Sequence, residues 1–250
     1  GFYRPKWTSS HYTLLELRRL NVSPRNLLIR KSIRQIVRQY KGSDGGIGTS
    51  PNMKRCDVCV NGMFLHYACY FGEAETHLRS VVDFLLAQHM GDGGFNCMSN
   101  HSGAHHSSLH STLSVLEGIL QYENNGYVYR LDELQNAAEL SREFILLHRL
   151  YRSDRTGEVI NADFLRLPYP HHWRYNILKA LDYFRAAKQP FDVRMQDALE
   201  VLMSKRRADG RWRLDAALRG KTHLVMEKAG RPSRWNTLVA LRVLKAYGMA

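Results

Sequence analysis

The turn at residues 88–95, Gln-His-Met-Gly-Asp-Gly-Gly-Phe, is the strongest evidence for the fold, because close copies of it recur along the chain. Residues 42–48 (GSDGGIG) and 208–212 (ADGRW) repeat its Asp-Gly core, and residues 153–158 carry a degenerate version. Each copy follows a segment whose apolar residues recur at helical spacing, and glycine is typical of helix ends and turns. These turns therefore predict a series of helices that end at similar signals.

Two classes of helix alternate around the turns. Charge-rich segments precede them, and the segments that follow begin with polar or aromatic residues and continue with cores such as Thr112-Leu113-Ser114-Val115-Leu116. The charge-rich outer helices are predicted at 26–40, 75–89, 132–150 and 193–205. The inner helices are predicted at 9–20, 59–71, 107–122, 173–187 and 233–247.

Such helix pairs recur about every 50 to 60 residues, and one pair cannot bury its own apolar face, so stacked pairs must share a core. We therefore predict an all-α fold, an α/α-toroid of alternating inner and outer helices that forms a single domain over residues 1–250. Five inner helices against four outer ones leave open an incomplete ring or a missing N-terminal piece. Strand signals are nearly absent.

Composition narrows the class of protein and of partner. The chain has 250 residues, 44% of them hydrophobic, and no apolar run near the roughly 18 residues of a membrane span, so we expect a soluble, cytoplasmic protein. Four cysteines are too few for a secreted disulfide framework. The net charge of +13 calls for an anionic partner, but nucleic acid is disfavoured because no aromatic platform or binding motif accompanies it.

The turn at 88–95, its weaker copy at 204–212 and the Thr-plus-Leu inner helices resemble the superfamily of prenyltransferase β subunits and squalene/terpene cyclases. The resemblance implies a toroid with its chemistry at the entry ends of the inner helices. Class II cyclases begin their reaction with an Asp-x-Asp-Asp motif, which is absent. The resemblance therefore implies a prenyltransferase-like enzyme rather than a cyclase, and it adds a partner subunit as a candidate partner.

The same resemblance implies a zinc site. Prenyltransferase β subunits hold zinc with an Asp-x-Cys at the start of one inner helix and a histidine at the start of the next. Asp57 and Cys59 resemble the first element and His110 supplies the second, so these three are the candidate catalytic residues and zinc ligands. Aligning Thr112 on the family's threonine places Ser111, not His110, at the ligand position.

Two alternatives for the cysteines stay open. Cys56 and Cys59 form a CxxC pair and Cys97 follows the Gly-Gly turn, so these three cysteines and one nearby histidine could form a structural zinc site. That histidine would be one of His101, His105, His106 and His110. Alternatively, the cysteines are small buried hydrophobic residues without a metal.

Helix starts that converge at one mouth would favour a phosphate, because their N–H groups and positive dipole ends are exposed there. Cationic and aromatic residues do cluster at these starts, and such a rim suits an isoprenoid diphosphate or a similar apolar-tailed anion. Alternatively, the tryptophans plug the ring. The candidate substrate-binding residues are Lys54, Arg55, His106, Trp173, Arg174, Tyr175, Arg234 and Trp235.

Two functions follow from the sequence. The first is a prenyltransferase-like enzyme that binds an isoprenoid diphosphate in a central cavity, with zinc as the candidate cofactor. The second is a non-catalytic α/α-toroid that binds a peptide or protein and uses its Cys and His residues structurally.

Overall fold

The computed structural model describes residues 1–97, 102–216 and 220–249. Within these ranges the fold is all-α, as predicted, and its only strands, β1 (Trp212–Arg213) and β2 (Pro232–Ser233), form one short antiparallel pair. The helices are α1 (Ser10–Arg19), α2 (Leu27–Tyr40), α3 (Val58–Tyr70), α4 (Glu75–Ala87), α5 (Leu109–Asn124), α6 (Leu131–Leu147), α7 (Ile177–Ala186), α8 (Gln196–Ser204) and α9 (Arg234–Ala246). None of these helices combines the length and apolar character needed to cross a membrane.

Each predicted helix is present, and the differences lie at the ends. Helix α7 begins at Ile177 rather than at residue 173, because the Asn176 side chain caps it by accepting a hydrogen bond from the Lys179 N–H. Helix α6 ends at Leu147 rather than at residue 150, since Arg149 and Leu150 adopt positive φ values of 41° and 67°.

The chain divides into two compact units, Gly1–Phe144 and Ile145–Ala250. In the first unit, α3 and α5 are mostly buried, whereas α2 buries only one face, formed by Ile29, Ile33, Ile36 and Val37. This contrast fits inner and outer helices in this unit.

In the second unit, α7 packs against α8 and α9, and seven of its ten residues are buried. Helix α9 does not match the inner-helix prediction as well, because Leu238 and Leu241 are 43% and 37% exposed. A closed toroid and a single domain stay predictions.

Three of the Asp-Gly turns share one backbone pattern. In each turn, the backbone N–H of the first residue donates a hydrogen bond to the carbonyl four residues later. The carbonyl of that first residue accepts a hydrogen bond from the N–H of the positive-φ glycine. Only glycine adopts that φ without strain. The N–H to carbonyl pairs are Gly42 to Gly46 at 2.7 Å, Met90 to Gly94 at 3.0 Å, and Arg207 to Arg211 at 2.9 Å.

Candidate functional site

Each of these turns is tied to the start of the next buried helix. In each case the residue four positions after the helix N-cap has a polar side chain. That side chain accepts a hydrogen bond from the backbone N–H of a fully buried residue in the Asp-Gly turn. The pairs are Asn61 with the N–H of Ile47 at 2.6 Å, Thr112 with that of Phe95 at 2.9 Å, and Thr237 with that of Trp212 at 3.1 Å. These contacts fix the position of each turn relative to the start of its helix.

The starts of α3 and α5 meet at a pair of thiols. The backbone N–H of Cys59 donates to the sulfur of Cys97 at 2.9 Å. The hydroxyl of Ser111 lies 3.3 Å from the same sulfur and accepts the Cys97 N–H at 3.1 Å. Both cysteines are half-buried and reduced. The Cys97 sulfur is therefore held by donors from two helix starts.

These donors act on the acidity of the two thiols. The hydrogen bond from the Cys59 thiol lowers the pKa of Cys97, and the Ser111 hydroxyl and the Cys59 N–H lower it further. The same hydrogen bond, together with burial, raises the pKa of Cys59. Thiolates are favoured at helix N-termini because free N–H groups point at them. Within the pair, Cys97 is therefore the more acidic thiol and Cys59 the less acidic one.

Two tyrosines near the N-terminus of the chain interact electrostatically with the thiols, and no sequence motif pointed to them. The hydroxyls of Tyr3 and Tyr12 lie 3.1 Å apart. Burial raises the pKa of Tyr3 to about 12, and its electrostatic interactions with Cys59, Asp57 and Cys97 add to that rise. Both phenols therefore stay neutral at physiological pH.

Cys56 does not join this pair. Its backbone N–H donates to the Asp44 carboxylate at 2.6 Å, and a Cβ added at Gly42 would lie 2.5 Å from its sulfur. Ser107 bonds Asp92 in the same way in the next turn. Burial raises the pKa of the Cys56 thiol, and its hydrogen bond to Asp44 adds to the effect. Cys56 therefore stabilises the turn at residues 42–48. A Cys3His site that includes Cys56 has no support among the described residues.

The predicted zinc set is only partly assembled. Asp57 occupies the N-cap position of α3 without a capping hydrogen bond from its side chain, and Cys59 lies two residues on. His110 is the second residue of α5 and is half-exposed. Among the described residues, no three His, Cys, Asp or Glu side chains form a group that could hold a metal ion. His101 lies outside the described residues. Zinc therefore stays a prediction.

The predicted anion contacts of the first unit are accessible. Lys54 and Arg55 are exposed in the loop that leads to Asp57, and His105 and His106 are exposed before α5. The pockets of about 460 and 480 Å³ on the surfaces of α2 and of α4 with α6 contain none of these residues. The positions are thus open to a ligand, but neither of these pockets is the predicted central cavity.

The predicted substrate residues of the second unit have local roles. Tyr175 is buried and donates its hydroxyl to the Leu150 carbonyl at 2.5 Å. Trp235 stacks on Tyr169 with ring centroids 5.2 Å apart. The guanidinium of Arg174 lies 5.9 Å from the Trp173 ring centroid. The Arg234 side chain is 87% exposed. Packing accounts for Tyr175 and Trp235, and Arg174 and Arg234 remain accessible.

Comparison with known proteins shows no family for this chain. No family model matches it. A stretch of 89 residues is 33% identical to a type 2 glycosyltransferase of Pyricularia oryzae, and it covers 36% of this chain and 18% of that protein. The assignment to the prenyltransferase β subunit and terpene cyclase superfamily is therefore wrong. It rested on Asp-Gly turns and Thr-Leu helix cores, and these are general devices for joining stacked helices.

Proposed function

We propose that the chain is an enzyme whose nucleophile is the thiolate of Cys97. The single observation that carries this proposal is the pair of donors on one sulfur, namely the N–H of Cys59 at 2.9 Å and the hydroxyl of Ser111 at 3.3 Å. A thiolate is the reactive form of cysteine, and a lowered pKa increases its fraction at neutral pH. A buried cysteine that only fills space needs no such donors.

The ligand that we propose is the apolar-tailed anion expected from the sequence, with Lys54 and Arg55 as its first contacts. Both residues are exposed two to three positions before Asp57, and the net charge of +13 favours an anion. The proposal includes a reducing, cytoplasmic compartment, because two cysteines in contact would otherwise oxidise.

The pH dependence of alkylation tests the thiolate without knowledge of the substrate. Iodoacetamide forms a carbon–sulfur bond at the thiolate and releases iodide, so its rate follows the ionised fraction of Cys97. We expect the midpoint for Cys97, measured by peptide mass spectrometry, to lie below the ordinary thiol value of about 8.5. Cys59→Ala and Ser111→Ala should both raise that midpoint.

Cys69 is not a useful control for this assay because it is buried. Denatured protein is a better one, since every cysteine should then titrate near its ordinary pKa. A Cys97 midpoint that equals the denatured value, or that ignores Cys59→Ala, would remove the basis of the proposal.

A second candidate uses the same sulfurs as metal ligands. The contact between Cys59 and Cys97, with Asp57 nearby, favours it, because zinc prefers thiolates and carboxylates. Metal analysis of the purified chain tests this idea. Stoichiometric zinc that is lost in both Cys59→Ala and Cys97→Ala would favour metal chemistry, whereas metal-free protein with a reactive Cys97 would favour the nucleophile. Binding of a peptide or protein becomes the better hypothesis if both experiments are negative.

A further inference from the structure

The exposed face of α2 carries the most concentrated positive charge in the first unit. Residues 17–43 include eight Lys or Arg and no Asp or Glu. Lys31, Arg34 and Arg38 are exposed along one stripe of the helix, and among the described residues they make no ion pair. The spacing of three and four residues places them side by side. Arg30, next to them, is held by a 3.1 Å hydrogen bond to the Gly72 carbonyl.

Two leucines stand at the beginning of the same stripe. Leu27 and Leu28 are each 77% exposed, although the opposite face of α2 supplies four buried residues to the core. The Asn26 side chain fixes the helix start by accepting hydrogen bonds from the N–H groups of Leu28 and Ile29. The leucine pair is therefore held outward by an ordered cap.

We propose that this α2 face is a docking surface for an anionic lipid membrane. Leu27 and Leu28 would enter the interface between headgroups and acyl chains, and Lys31, Arg34 and Arg38 would pair with anionic headgroups. Apolar insertion and electrostatic attraction together are what a peripheral helix needs for binding. A groove of about 460 Å³ between these side chains can take headgroup oxygens.

Charge complementarity alone would also suit a nucleic acid, but the leucine pair favours the membrane. Phosphate backbones are bound by charge, and single strands are bound through aromatic stacking platforms. This face presents no aromatic side chain among its exposed residues and ends in two aliphatic ones. Aliphatic side chains gain free energy from transfer into acyl chains and little from contact with a phosphate backbone.

Vesicle co-sedimentation of the full chain tests the proposal. We expect binding to vesicles of phosphatidylcholine with 30% phosphatidylserine, weak binding to pure phosphatidylcholine, and loss of binding as salt rises. Lys31→Glu with Arg34→Glu and Arg38→Glu should weaken partitioning by two orders of magnitude or more, since each basic residue near the surface contributes roughly fivefold. Leu27→Ser with Leu28→Ser should weaken it at constant charge.

The matched control reverses three exposed cations of the second unit, Arg155, Lys221 and Arg242, and so makes the same change in net charge. It should retain most of the binding, because the contact surface is intact. Equal losses in the control and the α2 charge variant would overturn the proposal, as would leucine variants with unchanged binding. Tight binding to a 30-base-pair DNA duplex without binding to anionic vesicles would assign the face to nucleic acid instead. Circular dichroism checks that each variant is folded.

Discussion

The backbones of α3 and α5 approach each other closely at Gly62 and Gly118, and Gly62→Ala should disrupt this contact. A Cβ added at Gly62 would lie 2.6 Å from the Ser114 carbonyl oxygen, and one at Gly118 would lie 2.5 Å from the Gly62 oxygen. Ordinary contacts of a Cβ begin near 3.4 Å. The obstructing atoms are backbone, so the helices must separate by about 0.8 Å or bend, because a packed core has no free space.

The expected loss of stability follows from two opposing terms. Overpacking costs about 1 to 3 kcal/mol, and backbone atoms that cannot rotate away place this site at the upper end. Alanine has a higher helix propensity than glycine, and this stabilises the folded state by about 1 kcal/mol. We therefore expect Gly62→Ala to lower the free energy of unfolding by about 2 kcal/mol.

Urea denaturation of the full chain, followed by circular dichroism, measures this change. Gly91→Ala is the control, because a Cβ there would meet nothing within 4 Å. The iodoacetamide assay adds a second readout: Gly62→Ala should raise the Cys97 midpoint, since Cys59 and Ser111 lie on the two helices that must move. A Gly62→Ala protein as stable as the Gly91→Ala protein, with an unchanged Cys97, would refute the proposed backbone contact.

Further predictions concern the turn anchor and two kinds of titrating group. Thr112→Val should cost about 1 to 3 kcal/mol in urea denaturation by leaving the buried Phe95 N–H unpaired; no loss would contradict the anchor. Burial lowers the pKa of His11 to about 3 and of His66 to about 4. Below about pH 6.5 the unfolded chain therefore binds more protons than the folded chain. The free energy of unfolding should then fall by about 1.4 kcal/mol per pH unit for each histidine. Equal urea midpoints at pH 7 and pH 5 would exclude this pH dependence. Hydrogen bonds from two backbone N–H groups lower the pKa of Glu75, so its stabilisation is present above about pH 4.3 and lost as pH falls through the lowered value. Glu75→Gln should flatten thermal stability against pH in that range, and an unchanged profile would contradict it.

The helices were predictable because their determinants are local. Apolar spacing predicts the buried face of α2, and the Asp-Gly turns predict where helices end. Helix ends without such a turn were less accurate. Nothing in the apolar pattern at residues 173–176 shows that Asn176 caps α7, since the cap depends on its own backbone conformation.

The candidate site was only partly predictable, because its contacts join distant segments. The prediction placed Asp57 and Cys59 at a helix start, which the structure confirms. It ranked Cys97 only as an alternative ligand and gave Ser111 no role. The contact between Cys59 and Cys97 was not predictable, because 38 residues separate them in the sequence. The resemblance in organisation led to a wrong family, because stacked helices are shared by unrelated proteins and can carry many chemistries.

The repeat itself explains why a thiol site lies at this turn. Cys59 and His110 occupy equivalent positions, each two residues before an anchoring side chain. Equivalent positions of a repeat lie on successive helices. The residue that contacts Cys59 comes instead from the turn segment that precedes the next of these helices. The position two residues after the anchored turn residue is Thr49, Cys97 or Leu214. Of these three only Cys97 has a sulfur, so the proposed nucleophile depends on one side chain in a shared framework. Cys97→Ser should therefore abolish alkylation at this position while leaving the turn bonded through its backbone.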